Sequence, residues 1–99
     1  MKPLRCKKYL MWVRKQNSCV SMCPADDPHH IINLLPGGMG TKTHDFFTIP
    51  LTRQEHQELH NIGGIAWEKK TGINQAEEVL RTLNNAINEG LIEIRWINE

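Results

Sequence analysis

Residues 52–64, "TRQEHQELHNIGG", constrain the fold more than any other stretch. Thr52-Arg53-Gln54-Glu55 fits a capping box, in which the threonine hydroxyl takes the third amide and the glutamate reaches back to the first. The pattern predicts a helix from about Arg53 to Ile62, stopped at Gly63-Gly64. His56 and His60 stand four apart on it and therefore share one helical face, close enough to bind one ion. An i, i+4 histidine pair is also common on a plain solvated helix face.

What precedes this helix raises the signal. "HHIINLL" (29–35) reads as a strand and "DFFTIPL" (45–51) as a second, with Pro50 limiting its pairing near the end. "PGGMGTKT" (36–43) between them reads as a glycine-rich loop. Strand, loop, strand and helix make a compact ββα unit. Adjacent strand residues point to opposite faces, so one of His29 and His30 can join the helix pair while the other points elsewhere. Three neutral imidazoles on one ion leave an open position, the arrangement of a catalytic rather than a structural site. The fourth histidine is then a candidate general base. His44 reads as an exposed loop residue, and Lys42 and Arg53 as cations available to an anionic substrate group, or as plain loop and surface residues.

The remaining chain is consistent with one small α+β domain over residues 1–99, with the ββα core at about 27–63. "YLMWV" (9–13) reads as a strand or tight core segment, and 16–28 as a loop. Two more helical pieces are expected at about 65–70 and 75–89, within a C-terminal segment 65–99. The longer carries Ala76, Val79, Leu80, Leu83, Ala86 and Ile87 as an apolar stripe. "LIEIRWINE" alternates in part and reads as a strand. The net charge of +1 conceals six basic and no acidic residues in 1–25, a basic arm suited to an anionic partner or simply to solvent. No apolar run approaches the roughly 18 residues of a membrane helix, and the basic N-terminus is not a signal peptide. A cytoplasmic protein is expected.

Three cysteines, Cys6, Cys19 and Cys23, suit reduced thiols better than a disulfide framework. Cys19 and Cys23 are also candidates for a second, structural metal, although a second cysteine pair is missing. A rival partition joins Cys19, Cys23, His56 and His60 in a Cys₂His₂ zinc. It implies a non-catalytic, zinc-stabilised DNA-binding or recombination accessory module, and it leaves His29 and His30 unexplained.

The combination of "HH", Asp45 fifteen residues after His30, and HxxxH on a helix resembles the HNH (His-Me finger, ββα-metal) nucleases. Over roughly residues 10–60, "DPHHI", "GGMGTK", "DFFTIPL" and "HQELH" are similar to the small phage and prophage family that includes the RecA-dependent HNH nuclease Ref. The resemblance implies a metal-dependent DNA endonuclease in which His30 is the general base and His29, His56 and His60 bind the metal. Asp45 stands where the motif usually has asparagine and would orient the base. The implied cofactor is one divalent ion, zinc as bound, with magnesium, manganese or nickel as alternative working ions. The implied partners are DNA and a recombinase filament, in phage DNA processing.

Overall fold

The computed structural model describes residues 3–31 and 43–98, and the element order is helix, two strands, three helices. Helix α1 spans Lys7–Arg14, strands β1 and β2 span Asp27–His30 and Thr48–Leu51, and helices α2, α3 and α4 span Arg53–Ile62, Gly64–Thr71 and Gln75–Asn88. This is a small α+β arrangement in one domain. None of the described helices is long and apolar enough to cross a membrane.

The two strands form an antiparallel ribbon in which His29 faces Ile49 and His30 faces Thr48. A two-stranded ribbon is marginal alone and needs a covering layer. All of β2 is buried, and α1, α2 and α4 pack against it. Pro28 and Pro50 sit opposite each other in the ladder. The Ile31 amide donates to the Phe47 carbonyl, which puts the bonded pairs at the odd-numbered positions of β1. Neither proline therefore removes a ladder bond, so Pro50 is tolerated within the strand rather than ending it.

Two apolar clusters hold the layers. Ile31, Ile49, Leu51, Leu59, Trp67 and Val79 form the larger, and Tyr9, Val13 and Ala86 the smaller. Leu83 packs against both and joins them through α4.

Helix α2 has the expected capping box, with Thr52 Oγ1 accepting from the Glu55 amide and Glu55 Oε1 accepting from the Thr52 amide at 2.8 Å. Gly63, at φ +87°, ends it and starts α3, a backbone turn that a residue with a Cβ adopts only with strain. The cap of α2 is tied to the loop before β1. The Ser18 hydroxyl donates to Glu55 Oε1 at 2.5 Å, and the Cys19 amide donates to the Pro50 carbonyl.

Several expectations need correction. Residues 9–13 lie in helix α1, not a strand. Tyr9 and Val13, one helical turn apart, are buried, whereas Met11 between them is 58% exposed; a strand would have buried all three on one face. The first strand ends at His30, and 32–35 lie outside the described residues. The second begins only at Thr48, because residues 45–47 turn: the Phe47 amide donates to the His44 carbonyl and Thr48 Oγ1 to the Asp45 carbonyl. The buried face of α4 uses Thr82, whose hydroxyl is satisfied by the Glu78 carbonyl, while Leu80 is 68% exposed. Among the described residues, 91–98 form neither helix nor strand, so the C-terminal helical segment stops at Asn88.

Candidate metal centre

His29 is presented by β1 and is buried, with 4% of its surface exposed. His56 and His60 are presented by consecutive turns of α2, the first half-buried and the second exposed. The packing of α2 across the ribbon brings the three together. One ligand atom from each lies within 4.8 Å of the others, and no other group of three or more His, Cys, Asp or Glu converges in this way among the described residues. The His29 ring meets those of His56 and His60 edge-on, at centroid distances of 4.9 and 5.9 Å.

The trio has the properties of a ligand set. Burial, then repulsion from His56, lowers the His29 pKa from 6.5 to about 4, against a hydrogen bond with Gln75 that works to raise it. His29 is thus neutral at any ordinary pH, with a lone pair available. His56 Nε2 and His60 Nε2 are 3.1 Å apart. Two such nitrogens attract only when a proton or a cation lies between them.

His30 is bound elsewhere. Its Nε2 is 2.8 Å from Asp45 Oδ1. The carboxylate is buried and surrounded by donors, because the Arg5 guanidinium also reaches Oδ1 at 3.1 Å and the Cys6 amide reaches Oδ2 at 2.7 Å. Burial works to raise the Asp45 pKa, but the hydrogen bonds from His30, Cys6 and Arg5 outweigh it and hold the group below its ordinary value. Asp45 is therefore a carboxylate, its oxygens accept, and the His30 proton sits on Nε2. Nδ1 then carries the lone pair.

Sequence reasoning missed the support for this pair. Segment 4–6 runs beside segment 43–45. The Leu4 amide donates to His44 Nδ1 at 2.8 Å, the Asp45 amide donates to the Leu4 carbonyl, and Arg5 reaches the Thr43 carbonyl. His44, expected as a plain loop residue, is an acceptor that fastens the N-terminal segment and also packs edge-on against Phe47. Asp27 and Gln75 were missed as well; they touch His56 and His29, respectively, at 3.2 Å each. No local signal marks any of these, since each contact joins segments far apart in the chain.

Arg53 is largely exposed, with its amide on Asp26 and its guanidinium 3.6 Å from Asp27. Lys42 and the glycine-rich loop at 37–41 lie outside the described residues. Cys19 and Cys23 do not join His56 and His60, and the Cys₂His₂ partition is not formed. Cys19 instead packs against the larger apolar cluster, where burial first, then Glu78 and Glu55, push its thiol up to about 12; Cys23 is exposed, and both are free thiols. Beside the trio lies an open cleft of about 750 Å³, lined by His29, His60 and Gln75 and by the apolar Leu59, Ile62 and Ile65.

The family model of DUF968, described as a protein of unknown function, matches residues 1–90. The chain is also similar to the uncharacterized protein YdfU of Escherichia coli (strain K12), being 44% identical over 86 residues. That match covers 87% of the chain and 24% of YdfU, so the chain spans about a quarter of the length of this curated relative. No solved structure matches the chain.

Proposed function

The chain belongs to the DUF968 family, and we propose that this member is a metal-dependent HNH-type endonuclease that hydrolyses DNA phosphodiester bonds. The observation that carries the reading is the convergence of His29, His56 and His60 while the neighbouring His30 is held by a buried carboxylate. One strand dipeptide thus supplies a ligand and a base to the same corner of the fold. The ββα-metal core at residues 27–63, with β1, β2 and α2 as its elements, is part of this proposal.

The donor set fits a divalent ion with an open position: three imidazoles, one buried and neutral, and no cysteine among them. Zinc or nickel suits such ligands, and magnesium or manganese is the alternative working ion. When bound, such an ion supplies positive charge to the non-bridging and leaving oxygens of a phosphodiester. The chain's own residues do the rest. His30 Nδ1 takes a proton from water as the water oxygen bonds to phosphorus. The bond from phosphorus to the 3′ oxygen breaks, and that oxygen takes up a proton. Asp45 keeps Nε2 protonated and stabilises the imidazolium that forms, as a buried carboxylate does for a histidine base. Arg53 and Lys42 are assigned to neighbouring phosphates. The basic N-terminal segment suits the same polyanion, because cationic side chains release the counterions that surround it. A role in phage DNA processing with a recombinase filament is part of the same reading.

The test is nicking of supercoiled plasmid by the purified chain with added zinc, nickel, manganese or magnesium. Nicking that chelator abolishes, and that His30→Ala lowers by about 10²-fold or more, supports the reading. Metal-dependent cutting by His30→Ala at the wild-type rate removes His30 as the base. No cutting under any of these ions by a metal-loaded chain removes the nuclease assignment.

A further inference from the structure

Two polar side chains touch the histidine trio without belonging to it. Asp27 Oδ2 lies 3.2 Å from His56 Nδ1, and Gln75 Oε1 lies 3.2 Å from His29 Nε2. A carboxylate oxygen and an amide oxygen only accept, so each of these ring nitrogens carries the hydrogen. A neutral imidazole has one lone pair, and it is then on the opposite nitrogen: Nε2 of His56 and Nδ1 of His29. His56 Nε2 is the atom that faces His60 Nε2.

Both outer groups are themselves held. Asp27 begins β1, and its second oxygen is 3.6 Å from the Arg53 guanidinium. Gln75 is the first residue of α4, and its backbone N–H donates to Glu68 Oε2 at 2.8 Å. Its side-chain nitrogen passes so close to Gly64 that a Cβ there would stand 3.2 Å away. The side chain of Gln75 therefore lies between Gly64 of α3 and His29.

We propose that Asp27 and Gln75 are positioning residues that decide which ring nitrogen each histidine presents, so that His56 binds an ion through Nε2 and His29 through Nδ1. This rests on the reading that the trio holds a metal. It extends the centre beyond the ββα unit, since Gln75 comes from α4, outside the ribbon and α2. Partners of this kind fix ring orientation and raise ligand basicity, and their loss weakens metal binding by about 10- to 100-fold.

The experiment uses the full chain and zinc. Affinity is measured by competition with a chromogenic chelator for wild type, Asp27→Ala, Asp27→Asn, Gln75→Ala and Gln75→Glu. Each alanine variant is expected to lose about 10- to 100-fold, while the asparagine and glutamate variants, which keep an acceptor oxygen, recover most of it. Thermal melting of the metal-free variants shows whether they are folded. Histidine ¹⁵N spectra of the wild type give an answer independent of any variant. They should show hydrogen on His56 Nδ1 and His29 Nε2, and zinc on the opposite nitrogens. Folded alanine variants with wild-type zinc affinity, or zinc on His29 Nε2, overturn the inference and leave the metal reading standing. A wild-type chain that takes up no zinc overturns both.

Discussion

The backbone amide of Cys6 donates to Asp45 Oδ2 at 2.7 Å, joining two residues 39 positions apart. With Arg5 and His30 on the other oxygen, Asp45 ties the N-terminal segment, the turn before β2 and the end of β1 at one buried point. Replacing it by alanine takes the acceptor from the Cys6 amide and from His30 Nε2, while Arg5 keeps the Thr43 carbonyl. Asp45→Ala is expected to lower stability by about 2–4 kcal/mol, measured by urea unfolding at pH 7. Asp45→Asn keeps one acceptor oxygen and should lose less. A loss below about 0.5 kcal/mol for alanine would show that the donors find other partners.

The pH dependence of the metal-free chain has two windows. His29 is lowered from 6.5 to about 4, so its neutral form is favoured in the folded state. As pH falls below 6.5 the unfolded chain takes up the proton first, and stability is lost down to about pH 4, by roughly 3 kcal/mol in all. His29→Gln should flatten this slope. Asp45 and Glu55 have lowered values, so their contributions are complete above their ordinary values of 3.8 and 4.5 and disappear only as pH falls below those. Unfolding free energies between pH 7 and pH 3 separate the windows; an unchanged slope in His29→Gln between pH 6.5 and 4.5 contradicts the assignment.

Ser18 and Thr52 both serve Glu55, the third residue of α2. Thr52→Ala removes the cap and should cost about 1 kcal/mol. Ser18→Ala removes the donor to Glu55 Oε1 and the acceptor for the Val20 and Ser21 amides, and should cost about 1–2 kcal/mol. Because both side chains act on Glu55, Ser18 on its carboxylate and Thr52 on its amide, the double variant is expected to depart from additivity by about 0.5 kcal/mol or more. Strict additivity in a double-mutant cycle would mean that loop and cap are energetically separate.

The cysteines should differ in reactivity. Cys19 is half-buried with its thiol pushed up to about 12, so little thiolate forms at pH 8. Cys23 is exposed. Iodoacetamide followed by peptide mass spectrometry should label Cys23 well before Cys19 in the native chain, and both equally in urea. Equal native rates would mean that Cys19 is not sheltered. Cys19→Ser with Cys23→Ser should leave zinc uptake unchanged.

Local chemistry makes α2 legible in the sequence itself. A hydroxyl, a glutamate three residues later and a glycine pair act on neighbouring amides, and no distant segment is needed to place them. The same locality puts His56 and His60 on one face and makes His29 and His30 a split pair. Residues 9–13 are ambiguous by comparison, because β-branched and aromatic side chains fit a strand or a helix equally in so short a run, and only packing chooses. Tyr9 and Val13 meet Ala86 of α4 when the segment is helical, so the burial of that face decides it.

The sequence alone therefore determined the histidine set, the helix that carries His56 and His60, and an α+β class. Only the tertiary structure decided that His29 joins His56 and His60, that Asp45 is held by Arg5 and Cys6, and that Asp27 and Gln75 stand at the outer nitrogens of the trio. The reason is physical. A cap or a helix face is set by atoms a few residues apart, whereas these contacts join residues 27 to 46 positions apart. They exist only once burial of Ile49, Leu51, Leu59 and Trp67 has brought ribbon and helices together.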